Sequence, residues 1–350
     1  MIRLGEETII GNLEKAIWNL LYLSIMIYNS IELCAGAGGQ ALGLEKAGFK
    51  HIELIEIDHN ACNTLRFNRP KWNVIEGDIR DYFPKPSMEI DLLAGGVPCP
   101  PFSIAGKQLG SKDERDLFPE ALRLVAELQP KAVMLENVKG LLDSVFDEYR
   151  TRIILQLEKL GYVADWRLLN ASDYGVSQLR PRVIFVGIRK EIAPYFFWPN
   201  PKKDNPPTIG ELLYDLMKKN GWKNAAQWKK NACDIAPTIV GGSKKHGGPD
   251  LGPTRARKAW AALGVDGKGI ANDSPEKNFE GLPRLTTEMV ALIQGFPPDW
   301  IFTGSKTNVY RQIGNAFPPP VAEAVGLRIK KALELHMAFV EHKLLERKFA

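Results

Sequence analysis

Seven short apolar runs punctuate the chain, at residues 30–33, 51–57, 73–75, 90–94, 132–135, 162–169 and 183–188. Several are nearly continuous rather than alternating, the pattern of strands covered on both faces in a parallel sheet. Helical signals lie between them. Residues 40–47 stop at Gly48, residues 117–128 follow a polar stretch, and residues 151–161 stop at Gly161. Thr286 opens a further helix that reaches Gln294 and closes at Gly295-Phe296-Pro297-Pro298, and a last helix starts near Val321. Strands alternating with helices predict an α/β fold with helices on both faces of the sheet. Ahead of the first run, apolar Ile17, Leu20, Leu21 and Leu23 predict an amphipathic helix within residues 1–25, and Met26 offers a second candidate start directly before the first strand. The longest apolar run, residues 17–28, is interrupted by Asn19 and Ser24 and is too short to span a bilayer.

In an open parallel sheet, ligands and chemistry collect where strands end. The first strand ends in Cys34-Ala35-Gly36-Ala37-Gly38-Gly39, a glycine turn leading into a helix N-terminus, where exposed N–H groups favour an anionic group. The spacing is GxGG, not the GxGxxG of a dinucleotide site, so a nicotinamide-dependent dehydrogenase is poorly supported. The second strand ends in Glu56-Ile57-Asp58. Glu56 is placed to bind ribose hydroxyls, while Asp58 suits a helix N-cap before residues 61–65. The third ends near Asp78-Ile79, with Asp78 in reach of an adenine amino group. The fourth ends in Gly95-Gly96-Val97-Pro98-Cys99-Pro100-Pro101-Phe102-Ser103, where prolines restrict the backbone and fix the direction of the Cys99 sulfur. A polar loop, residues 104–116, follows and carries Lys107, Lys112 and Arg115, the composition of a phosphate-touching lid. The fifth strand ends in Glu136-Asn137-Val138. Gln178, Arg180 and Arg182 share one face of an extended segment by their alternate spacing.

Composition changes this picture in one region. The 350 residues carry a net charge of +5, but residues 189–281 alone hold 16 lysines and arginines against 10 aspartates and glutamates. Glycine and proline make up 20 of those 93 positions, and four of the eight tryptophans fall there. This predicts an irregular, basic, loop-rich domain suited to a polyanion, with Lys244, Lys245, His246, Arg255, Arg257 and Lys258 as candidate contacts. The four cysteines, Cys34, Cys62, Cys99 and Cys233, lie far apart, so neither a zinc site nor a disulfide framework is expected, and the chain reads as cytoplasmic. The organisation expected is an extension at 1–29, a catalytic domain at 30–188 and 282–335, the basic domain at 189–281, and a helix end or tail at 336–350.

In set and order these stretches strongly resemble the DNA (cytosine-5) methyltransferases. Glu32-Leu33-Cys34-Ala35-Gly36-Ala37-Gly38-Gly39 is similar to the family's cofactor-binding motif, and residues 95–103 to its catalytic motif. Glu136-Asn137-Val138, Gln178-Leu179-Arg180-Pro181-Arg182, residues 284–297 and residues 314–320 are similar to four later motifs, so the resemblance spans residues 30–333. Cys34 stands where the family often has phenylalanine, Pro100 where glutamine is common, and Ser177 where proline is frequent.

The resemblance implies a Rossmann-like methyltransferase sheet with a small, irregular target-recognition domain, and S-adenosyl-L-methionine as cofactor. Leu33, Cys34, Ala35, Gly36, Gly38, Gly39, Glu56, Ile57, Asp78, Ile79, Pro98, Asn315 and Ala316 are the cofactor-binding residues it implies. It implies Cys99 as nucleophile, Glu136 as acid at N3 of the base, and Arg182 with Arg180 at the ring oxygen. The substrate is double-stranded DNA, with Ser103, Lys107, Gln178, Lys244, Lys245, Arg255 and Arg257 as contacts and a flipped-out base. A monomer is expected, and the likeness to bacterial modification enzymes brings in a cognate restriction endonuclease acting separately. A tRNA cytosine-5 methyltransferase on the same fold and a catalytically inactive DNA-binding regulator are the alternatives. The long basic segment favours duplex DNA over the first. Intact Cys99, Glu136 and Arg182 speak against the second.

Overall fold

A computed structural model describes residues 26–98, 116–241 and 249–349. The apolar runs form one seven-stranded sheet from β1 (Tyr28–Leu33), β2 (Phe49–Glu56), β3 (Val74–Glu76), β4 (Leu92–Gly95), β5 (Ala132–Val138), β6 (Tyr162–Asn170) and β7 (Pro181–Arg189). Their order is β3-β2-β1-β4-β5-β7-β6. The first five run parallel, and β7 is antiparallel to both of its neighbours. Three of the four connections between parallel strands carry an α-helix: α1 (Gly39–Ala47), α2 (His59–Asn68) and α3 (Phe118–Leu128), while β3 reaches β4 through a 3-10 turn, and α4 (Asp147–Lys159) leads into β6.

Side chains alternate across the sheet. Leu92, Ala94, Ala132 and Met134 face α1 and the long C-terminal helix, while Leu93, Val133 and Leu135 face α3 and α4. Both faces are therefore dry, as the continuous apolar runs require. Among the described residues no helix is long and apolar enough to cross a membrane.

Several boundaries move from their expected places. β1 starts at Tyr28, because Tyr28 is buried and pairs with Phe49. β5 runs through Val138, so Glu136 and Asn137 lie inside it. The antiparallel partner supplies the hydrogen bonds, with Glu136 opposite Ile184 and Val138 opposite Arg182. α4 begins at Asp147, with Asp147 and Glu148 in its first turn, where acidic side chains favour the helix dipole.

The basic segment is more ordered than its lack of periodicity predicts. It contains α5 (Ile209–Lys218), opened by a Thr208–Glu211 capping box, together with α6 (Ala225–Asn231) and α7 (Thr254–Ala262). Trp222, Trp228 and Trp260 are buried, and the first two donate their indole N–H to the carbonyls of Phe279 and Gly264. These aromatics belong to one apolar cluster with α8 (Thr287–Ile293), α9 (Lys306–Asn315), and Ala41, Leu42 and Leu65 beside the sheet. The segment thus shares its core with the sheet domain. The final helix, α10 (Pro319–Phe349), lies along α1, where a Cβ on Gly43 would stand 2.3 Å from the Pro319 carbonyl.

Candidate active site

The parallel strand ends converge on a cavity of about 330 Å3. The glycine turn forms one wall. Gly36 and Gly38 adopt left-handed backbone (φ +54° and +87°), and Gly39 is so close to the next element that a Cβ would lie 2.2 Å from the Phe317 carbonyl. Glu56, at the end of β2, holds this turn in place. Its carboxylate accepts from the Gly36 and Asp58 amides, each at 2.7 Å. Asp58 caps α2, accepting from the Asn60 and Ala61 amides.

Cys34, Ala35, Gly36, Gly39, Glu56, Ile57, Asp78, Ile79, Pro98, Asn315 and Ala316 all line the cavity. Ile57 is an exposed apolar side chain there, and Asp78 caps a short 3-10 turn while pairing with Arg80. Two of the thirteen expected cofactor residues do not line it. The Leu33 side chain lies in the core against α3 and α4, because strand alternation turns it away from the rim. Gly38 packs on Leu65 and Trp300 instead, and acts as the N-cap of α1.

Glu136 and Gly96 also line the cavity, which joins the cofactor-type loop to the acid. Glu136 Oε1 lies 2.8 Å from Arg182 Nε, with both side chains largely shielded from solvent. Burial pushes the Glu136 carboxyl above the ordinary carboxylate range, while the guanidinium groups of Arg182 and Arg180 oppose that rise. Because β7 is antiparallel, its first residues sit on the same rim as the last residues of β5, which is what brings Arg182 to Glu136. The neighbouring Asn137 amide donates to the Val97 carbonyl at 3.0 Å, fixing the chain that leads into Pro98 and Cys99.

Other expected site residues are placed differently. Cys99, Ser103, Lys107, the rest of the 104–115 loop, Lys244, Lys245, His246 and the 1–25 helix lie outside the described residues. Arg180 is fully buried and does not share the position of Arg182. It donates to the carbonyls of Ile239 (2.7 Å), Gly314 (2.7 Å) and Ala316 (3.0 Å). Gln178, expected at DNA, is also fully buried; it donates to Gln294 at 2.7 Å and accepts from the Ile239 amide at 2.9 Å. Both are internal braces, since a buried polar group needs partners and these carbonyls and amides supply them. Arg255 is exposed on α7, whereas Arg257 is held by Asp250 at 2.8 Å.

The expected cofactor set omitted Glu32 and Gln312, which both line the cavity. Glu32 is 1% exposed, and its Oε2 has no hydrogen-bond partner among the described residues. Its position inside the first motif, as the acid two residues before the glycine turn, was the available signal. Among the described cysteines, Cys34 also lines the cavity, but burial and the carboxylates of Glu56, Asp78 and Glu32 push its thiol far up. Burial raises Cys62 to about 12.

Comparison with known proteins agrees with this geometry. The family model for C-5 cytosine-specific DNA methylases matches residues 28–331. The chain is 58% identical over 312 residues to the Type II methyltransferase M.NgoMIV of Neisseria gonorrhoeae, covering 88% of this chain and 99% of that protein. It is 58% identical over 311 residues to M.NaeI of Lentzea aerocolonigenes, covering 87% and 75% respectively. A prophage-encoded E. coli protein described as a DNA modification methyltransferase superposes with a TM-score of 0.61 at 25% identity, over 89% of this chain and 99% of that one. Spodoptera frugiperda DNMT2 shares the fold with a TM-score of 0.55 at 18% identity, over 88% of this chain and 99% of its own. With its sheet order, its paired Glu136 and Arg182 and its family match in accord, the chain belongs to the C-5 cytosine-specific DNA methylases.

Proposed function

We propose that this protein methylates C5 of a cytosine within a specific duplex DNA sequence, using S-adenosyl-L-methionine and a covalent Cys99–C6 adduct on an extruded base. The observation that carries the reading is the shared cavity, which has a braced glycine turn on one side and, on the other, the largely shielded carboxyl of Glu136 that pairs with Arg182.

The residues fit the cofactor. Glu56 keeps free lone pairs for ribose hydroxyls, and the exposed Ile57 offers an apolar face to a purine. The unpartnered Glu32 oxygen suits an ammonium group such as that of methionine. When bound, S-adenosyl-L-methionine supplies an electrophilic methyl group.

The protein's own groups must make C5 nucleophilic, because aromatic C5 is a poor nucleophile. The Cys99 thiolate adds to C6 and the ring electrons move toward N3. Glu136, whose carboxyl burial shifts upward, donates to N3 and leaves C5 enamine-like. Arg182 orients that carboxyl and binds the ring oxygen. After transfer, loss of the C5 proton expels the Cys99 sulfur and restores the ring. Cys34 and Cys62 are poor candidates for the attack because their thiols resist ionisation.

The basic segment reads the DNA, with exposed Arg255 on α7 among its contacts. The protein acts as a monomer in the cytoplasm and serves as the modification partner of a separately acting restriction endonuclease, a reading supported by its likeness to relatives named Type II methyltransferases. Incubation with tritiated S-adenosyl-L-methionine and either genomic DNA or tRNA tests the substrate, followed by bisulfite sequencing of the DNA. Label confined to one DNA sequence context is expected. Label in tRNA alone, or at a nitrogen of the base, overturns the reading.

A further inference from the structure

We propose that Gly241 is a positioning residue for methyl transfer: its side-chain-free contact with Gly314 makes the basic segment set the place of Asn315 in the cavity wall. The inference rests on reading that cavity as the cofactor site.

The contact is tight from both sides. A Cβ on Gly241 would stand 2.3 Å from Asn315 Oδ1, 2.7 Å from its Cγ and 2.8 Å from its backbone nitrogen. A Cβ on Gly314 would stand 2.4 Å from Gly241 Cα and 2.6 Å from its nitrogen. The two backbones therefore touch with no side chain between them. Close-packed atoms with no rotamer to adjust transmit displacement rather than absorb it.

Buried polar side chains bolt the same two stretches together. Arg180 joins the Ile239 carbonyl to those of Gly314 and Ala316. Gln178 takes the Ile239 amide and holds Gln294, which in turn donates to the Ala316 carbonyl. Residues 239–241 and 314–316 thus form one block, and Asn315 and Ala316 line the cavity while residues 239–241 do not. Two residues beyond Arg180, Arg182 pairs with Glu136. In sequence, Lys244 and Lys245 follow Gly241 closely, so force from DNA on that stretch acts on the same backbone.

The test is a double-mutant cycle on the full-length protein, reading the Kd for S-adenosyl-L-methionine by calorimetry and kcat on DNA, with thermal melting as a control. In the wild-type background Gly241→Ala should weaken cofactor binding about tenfold, as overpacking against a fixed neighbour does. In an Asn315→Ala background the two nearest atoms are gone and only the backbone nitrogen at 2.8 Å remains, so the same change should cost several-fold less. An equal loss in both backgrounds overturns the link. An Asn315→Ala protein that binds cofactor unchanged overturns the cofactor reading of the cavity itself, a different failure.

Amide exchange in unmutated protein gives a second arm that survives a variant failing to fold. Saturating S-adenosylhomocysteine should slow exchange across residues 236–241. Protection confined to the cavity-lining peptides overturns the proposal.

Discussion

The sheet rim and the basic segment both hold polar groups in place, by opposite means. At the rim, each functional residue rides on the end of a regular element: the glycine turn after β1, Glu56 on β2, Glu136 on β5 and Arg182 on β7. Hydrogen-bonded register sets where they go. In the basic segment, three buried tryptophans fill space between short helices, and the indoles of Trp222 and Trp228 reach carbonyls far along the chain, at Phe279 and Gly264. Chemistry carried on strand ends is a local property of sequence, whereas placement by packing is a property of the assembled molecule. The first survives as a readable motif, and the second does not.

The sharpest test of the rim is the nucleophile. Cys99→Ser should abolish methyl transfer, because a hydroxyl is a far weaker nucleophile than a thiol near neutral pH, and it should leave DNA binding intact. Wild-type protein should form a denaturation-resistant adduct with DNA carrying 5-fluorocytosine at the target, since fluorine blocks the final elimination. An adduct mapped by mass spectrometry to Cys34, Cys62 or Cys233 sinks the assignment.

Next in size is the acid. Glu136→Gln keeps the shape but cannot give up a proton in the same way, so kcat should fall roughly a hundred- to ten-thousand-fold. The pairing with Arg182 adds a signed prediction. Arg182→Gln removes a cation that favours the carboxylate, so the Glu136 pKa moves further up and the acid stays protonated to higher pH. The alkaline limb of the residual kcat should shift upward in pH. An upward shift of the acid limb instead would show that Glu136 works as a base.

The basic segment is tested by stability. Trp260 is fully buried in the cluster that also contains Leu285, Val290 and Ile313. Trp260→Ala should cost about 3–5 kcal/mol, and unfolding should remain one transition, because the core is shared. Two separate transitions in calorimetry would make the segment an independent domain and remove the contrast between the regions.

The smallest effect is expected at the N-terminus. A protein beginning at Met26 keeps the Met26 side chain that packs beside the Tyr28 cluster, and should retain full activity and yield. A large loss in either would give residues 1–25 a structural role.

The seven strands were legible because each is a short apolar run, and helices cover both faces of the central ones. The cavity wall was largely legible for the same reason. Leu33 was misplaced because a motif does not say which of its side chains strand alternation turns inward. Gln178 was expected at DNA and Arg180 at the ring oxygen because they share one face of an extended segment with Arg182. Their burial depends on carbonyl partners at 239, 314 and 316 that no local pattern reveals. The tryptophans of the basic segment were visible, but without periodicity they did not announce helices.

The antiparallel placement of β7 has a consequence for the order of folding. β6 and β7 are consecutive, and they pair along their full length as a local hairpin, from Tyr162–Arg189 to Asn170–Pro181. Docking that hairpin onto β5 closes a much longer loop, which is the slower kind of event. Only then does Arg182 come opposite Val138 and reach Glu136. A nascent chain therefore acquires its cofactor-side turn before its acid is paired. The pairing of the acid thus waits on a non-local contact, so activity regained during refolding should lag the recovery of secondary structure.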